Sequence, residues 1–122
     1  RPTSQAYNDL AEVLRRRQRF EEAEHAAREA LARDNRSYAA WDTLACVLRE
    51  RGLLAEAEEA SRRSLELCSN DPRTHLTLAH ILLLRGLPAG ARTVLERPVL
   101  HTPNLPADVL QERDALALRC DR

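Results

Sequence analysis

The sequence predicts an all-α fold: a helical-hairpin repeat array, or α-solenoid, of three units closed by a C-terminal capping helix. Three observations predict it. The chain aligns with itself on a shift of 34 residues, so that Leu10, Leu44 and Leu78 coincide, as do Ala11, Ala45 and Ala79, and a fixed period of this size is the signature of stacked units. Within each unit the apolar residues recur at helical spacing, about 3.6 residues. The apolar content comes mainly from Ala and Leu, which favour helix, while glycine is limited to three residues and aromatics to 3%.

The units are expected at 4–37, 38–71 and 72–105. The same shift superposes Leu14, Leu48 and Leu82, then Ala23, Ala57 and Ala91. Tyr7, Trp41 and His75 share a position, and His75 there reads as a packing histidine. Gln18, Gly52 and Gly86 share the position where a short turn must reverse the chain. In the second unit Trp41, Leu44, Ala45 and Leu48 form one face of the first helix. Ala57, Ala60, Ser61, Ser64 and Leu65 form one face of the second. Small residues let two antiparallel helices approach closely, and the large ones fill the gap to the neighbouring unit.

Thr3 or Ser4 suits the N-cap of the first helix, and Asp71-Pro72 reads as N-cap and first helical residue of the third unit. Arg15, Arg16 and Arg17 fall at a helix C-terminus and Glu21 and Glu22 at the next N-terminus, both suiting the helix dipole. Pro98 should break the second helix of the third unit early. After the proline-rich stretch Pro98, Pro103 and Pro106, helical spacing returns over 106–119, where a cap would cover the last unit.

The pattern Trp41-x-x-Leu44-Ala45-x-x-Leu48, followed by Ala57, Ser61 and Ser64, resembles the tetratricopeptide repeat (TPR) family, over residues 4 to 103. Two units depart from it, with Asn35 and Ser69 where the family usually ends a unit on proline. The resemblance implies a protein–protein interaction scaffold whose first helices line a concave groove for a peptide or helix of a partner. Carried across residue by residue, the partner-binding rows are Asn8, Glu12 and Arg15 in the first unit, and Asp42, Cys46 and Arg49 in the second. In the third they are Arg73, Leu76, His80, Leu83 and Leu84. The first two units thus offer a mixed-charge floor, with Arg15 and Arg49 along one edge. The third offers leucine, which the chain's own C-terminal segment, a neighbouring repeat outside this sequence or a partner should cover. Some family members clamp a C-terminal carboxylate of chaperones with Lys, Asn and Arg. The matching positions here are Asn8, Glu12, Thr43, Arg73 and Thr77. Only Arg73 keeps the charge, and Glu12 would repel a carboxylate.

Other classes find little support. Nineteen Lys+Arg balance nineteen Asp+Glu, which argues against nucleic acid and anionic membrane as partners. Every basic residue is Arg, excluding lysine Schiff-base chemistry. Glu22-x-x-His25 is a single copy of a spacing that di-iron bundles use twice. No zinc, P-loop or dinucleotide motif appears, so neither catalysis, metal nor cofactor is expected. Cys46, Cys68 and Cys120 are odd in number and unpatterned, which points to a reducing compartment, the cytoplasm. The longest apolar run is too short to span a bilayer. The alternative function is self-assembly, a homodimer formed through the Leu-rich third unit or Cys120.

Overall fold

The computed structural model describes residues 2–121, and they are helical with no strand among them. The helices are α1 (Ser4–Arg16), α2 (Phe20–Arg33), α3 (Tyr38–Glu50), α4 (Leu54–Leu67), α5 (Pro72–Leu84), α6 (Pro88–Leu95) and α7 (Ala107–Cys120). A 3-10 turn, Pro98–His101, separates α6 from α7. The chain forms two compact units, divided between Ser69 and Asn70.

The first unit holds two helical hairpins, α1–α2 and α3–α4. Thr3 Oγ1 accepts from the Ala6 N–H at 3.1 Å, and Ser37 Oγ from the Ala40 N–H at 3.2 Å, so each first helix starts on a hydroxyl cap. Each ends in the same reversal. The Gln18 N–H donates to Arg15 O and the Arg19 N–H to Leu14 O; Gly52 and Leu53 repeat this to Arg49 O and Leu48 O. This paired arrangement needs a left-handed residue, and Gln18 (φ 62) and Gly52 (φ 79) supply it. The position aligned on turn chemistry is thus one backbone conformation, even where glutamine occupies it.

Alanine makes the hairpins tight. Ala11, Ala23, Ala27 and Ala30 are completely buried between α1 and α2, and Ala45 and Ala57 between α3 and α4. Serine adds cross-helix bonds: Ser4 Oγ donates to Ala30 O at 2.9 Å and Ser64 Oγ to Tyr38 O at 2.8 Å. Both α1 and α2 pack on α3, burying Leu44 and Val47. Trp41 Nε1 donates to Asn35 O at 2.9 Å, tying α3 to the loop before it.

In the second unit Asp71 caps α5 through the Arg73 N–H at 3.0 Å, with Pro72 in the first turn. The α5–α6 turn repeats the reversal, with Gly86 at φ 76. Helix α6 has 8 residues, where α2 and α4 have 14. Arg97, before Pro98, is extended (ψ 141), because proline excludes the helical conformation from its predecessor. The shortened end is sealed by His101 Nε2, which donates to Leu95 O at 2.9 Å. Helix α7 packs on both α5 and α6, burying Val109, Leu116 and Cys120. Arg113 Nη1 donates to Leu100 O at 2.9 Å, joining α7 to the 3-10 turn. His75 is buried, and its Nδ1 accepts from Arg97 Nη1 at 3.2 Å, since arginine can only donate.

Candidate functional site: the inner row of the first helices

In the first unit the row residues come from α1 and α3, and three of them join one network. Arg15 stands in the middle. Its Nη2 donates to Glu12 Oε2 at 3.3 Å, one turn back on α1, and its Nη1 to Glu50 Oε1 at 3.0 Å, across on α3. Arg49 Nη2 lies 3.5 Å from the same Glu50 oxygen. Glu12 Oε1 accepts from Thr43 Oγ1 at 3.2 Å, which closes the network from α3 back to α1. Spacing alone sets Arg15 and Arg49 side by side. Glu50 is what makes that arrangement tolerable, by bridging the two cations.

Burial works against the charge on Arg15, but the neighbouring Glu12 and Cys46 and the hydrogen bonds to Glu12 and Glu50 outweigh it, raising its pKa above the ordinary value. Both terminal nitrogens of Arg15 are therefore engaged within the unit, and it has no free fork to offer a carboxylate. Its Nε is buried and has no hydrogen-bond partner among the described residues. Asn8 is buried two turns earlier on α1, and its Oδ1 is likewise without a partner. Asp42 and Cys46 are half-buried on α3.

In the second unit the row residues separate. Arg73 is exposed and forms a forked pair with Asp108 of α7, at 2.6 and 3.3 Å. The hydrogen bond from Arg73 is the main reason the Asp108 pKa lies below the usual carboxylate range. Leu76 is 1% exposed and so presents no surface, although the row spacing places it among surface residues. His80 and Leu83 are half-buried, and Leu84 is 44% exposed. Glu22 and His25 are exposed on α2, and no group of three His, Cys, Asp or Glu residues suited to a metal occurs among the described residues. No helix is long and apolar enough to cross a membrane among the described residues.

Glu50 and Thr43 complete the network but lie off the row offsets. The signal in the sequence that finds Glu50 is its position next to Arg49, opposite another arginine one repeat away.

The tetratricopeptide repeat family model matches residues 3–35, which span α1, its turn and α2. That stretch is similar to one tetratricopeptide repeat. Solved structures agree along nearly its whole length. The TPR2B domain of yeast Sti1 in a pHsp70 complex superposes with a TM-score of 0.89 at 17% identity, covering 97% of this chain and 95% of that one. The Yersinia enterocolitica type III secretion chaperone SycD, in complex with a peptide of the translocator YopD, gives 0.86 at 14% identity, with 96% and 91% covered. The first TPR domain of Spaghetti, bound to an HSP90 peptide, gives 0.84 at 12% identity, with 98% and 97% covered. At these identities the likeness is one of fold. No curated protein sequence matches this one.

Proposed function

We propose that this chain is a non-catalytic protein-interaction module that holds a peptide or helix of a partner along the inner row of its first helices. The observation that carries this is the Glu12–Arg15–Glu50–Arg49 network with Thr43. Ion pairs that water still reaches contribute about 1 kcal/mol or less each, so four charges, each between 15% and 30% exposed, add little stability to hairpins built from alanine and leucine. Their use is a preorganised polar surface, one that a partner meets without ordering it first. Asn8 and Arg15 add capacity just beneath that surface. They stand seven residues apart on one face of α1, about 10 Å by helical rise, or roughly three residues of extended chain. Asn8 Oδ1 can accept from a backbone N–H and Arg15 Nε–H can donate to a carbonyl, and neither has a partner among the described residues.

SycD holds a peptide of the translocator YopD and the first TPR of Spaghetti an HSP90 peptide on the same fold, and this supports the same use here. The chemistry differs from a carboxylate clamp. Glu12 presents a negative charge on the floor, and both Arg15 forks are occupied, so the favoured ligand is an internal segment of mixed charge. Asp42, Cys46 and Arg49 on α3 would extend the contact. Arg73, His80, Leu83 and Leu84 on α5 are the corresponding residues of the third unit, and 106–119 its cap.

The test uses peptides selected on the full chain from a random display library. Arg15→Gln, Arg49→Glu and Leu83→Asp should each weaken the selected peptide about tenfold, equivalent to about 1.4 kcal/mol, with an unchanged helical circular dichroism spectrum. Arg62→Glu, on an exposed part of α4, should leave affinity unaltered. Equal affinity in all four variants refutes the assignment.

A further inference from the structure

Helix α6 stops after 8 residues, where α2 and α4 have 14. The chain turns away at Pro98 instead, and the departure leaves space. The end of α6, His101 of the 3-10 turn and the second half of α7 border an open cavity of about 290 Å3. Leu95 and Cys120, 4% and 5% exposed, floor it together with Ala117. This volume lies near the lower end of the range of small-molecule sites, roughly 300–1,000 Å3. The cavity shares no residue with the inner row, so its use is independent of the function proposed above.

The polar groups around this floor are unequally occupied. Arg92 Nη2 donates to Cys120 O at 3.1 Å and to Asp121 Oδ1 at 2.8 Å. Arg113 Nη1 donates to Leu100 O at 2.9 Å and its Nε to Asp114 Oδ1 at 3.0 Å. Each arginine thus has a carboxylate and a carbonyl of its own. Two acceptors are left over. The Glu96 carboxylate makes no ion pair or hydrogen bond among the described residues. His101 commits Nε2–H to Leu95 O, so Nδ1 of the neutral ring is an acceptor, and it has no partner among the described residues. Because His101 rests on the carbonyl of the residue before Glu96, both acceptors lie at the same end of the cavity. The charge agrees. Glu96, Asp114 and Asp121 outnumber Arg92 and Arg113 by one, and the C-terminal ends of α6 and α7, the negative ends of the helix dipoles, border the same space.

We propose that the cavity between α6 and α7 binds a small primary amine in its ammonium form, with the ammonium on Glu96 and His101 Nδ1 and a ring-sized apolar body over Leu95, Ala117 and Cys120. An ammonium supplies three donors and no acceptor, which matches a site whose open groups only accept. An anion meets the reverse arrangement, since both guanidinium groups are engaged and the unpaired charge is negative. A partner's lysine side chain fits less well, because four methylenes and a nitrogen leave much of the 290 Å3 empty. The chain itself contains no lysine.

The test titrates the full 15N-labelled chain with benzylamine, benzyl alcohol and benzoate, one body in three charge states, at about pH 7.5, where the amine is protonated. Benzylamine should shift the amides of 95–101 and 113–121 saturably, with a Kd of about 1 mM or below. It should bind at least about tenfold more tightly than the other two, a difference that one engaged charge supplies. Glu96→Gln should weaken benzylamine about tenfold, and Ala117→Leu, at an exposed position, should block the cavity. Both variants should keep the parent's helical circular dichroism spectrum. Glu66→Gln, in an exposed pair on α4, should leave the affinity unaltered. N-acetyl-lysine amide is the fourth probe. Benzyl alcohol or benzoate binding as tightly as benzylamine would overturn the proposal, as would benzylamine affinity unchanged in both Glu96→Gln and Ala117→Leu. Tighter binding of the blocked lysine would overturn it in favour of a partner protein's side chain. Absence of saturable shifts at about 20 mM benzylamine, far above the expected Kd, would overturn it outright.

Discussion

Arg15 Nη1 donates to Glu50 Oε1 at 3.0 Å, joining α1 to α3 between residues 35 apart in sequence. Glu50 also faces Arg49, so one carboxylate serves two cations from adjacent hairpins. Both Arg15 and Glu50 are about a quarter exposed, so water weakens the pair. Glu50→Gln should lower stability by less than about 1 kcal/mol in urea unfolding, and a double-mutant cycle with Arg15→Gln should give a coupling of similar size. A coupling of several kcal/mol would show that the network exists to hold the fold together rather than to present a surface.

Two buried serines on α4 make opposite predictions. Ser64 Oγ donates to Tyr38 O, and Ser64→Ala should cost about 1 kcal/mol by orphaning nothing but losing that bond. Ser61 is equally buried, but its Oγ has no partner among the described residues. Ser61→Ala should therefore be neutral or stabilising. Chemical denaturation of the two variants side by side checks the contrast.

The turn position offers a gain. Gln18 holds φ at 62°, in the region that disfavours a side chain. Gln18→Gly should stabilise by about 1 kcal/mol, seen as a rise of a few degrees in melting temperature. Gly52→Ala should lose a similar amount. A Cβ at Gly52 meets nothing within 4 Å, so the whole cost there is backbone conformation.

Glu24 sets an acid limit. Burial alone would raise its pKa, but hydrogen bonds from Arg28 and Arg51 outweigh it and hold the carboxyl below its ordinary value. A depressed folded pKa contributes stability above the unfolded value, about 4.3, and that contribution is lost as pH falls through the folded pKa. Stability measured from pH 7 down to pH 3 should therefore fall less steeply below about pH 4.5 in Glu24→Gln than in the parent. Parallel curves would remove Glu24 as a contributor.

The period made the local structure legible. It aligned Gln18 with Gly52 and Gly86 before their shared left-handed backbone was visible, and Pro98 announced the short α6. Relationships across elements were less accessible. Leu10 and Leu44 are the same residue at the same position, yet one is exposed and the other buried, because exposure depends on which hairpin comes before. Leu76 occupies a row position whose spacing says surface, but it lies in the core of a unit where α7 packs on α5. The Glu50 bridge depends on the distance between two helices, which no single-helix pattern encodes.

The central claim is that the α1–α3 inner row receives a partner segment. Its most direct test is a titration of the 15N-labelled chain with a peptide selected without bias from a random library, followed by NMR. The account predicts that the Arg15 Nε and Asn8 side-chain resonances shift first, together with backbone amides of α1 and α3 facing the row, while α2 and the outer side of α4 stay unmoved. Shifts confined to α2 and α4, with Arg15 Nε and Asn8 unchanged at saturation, would contradict it.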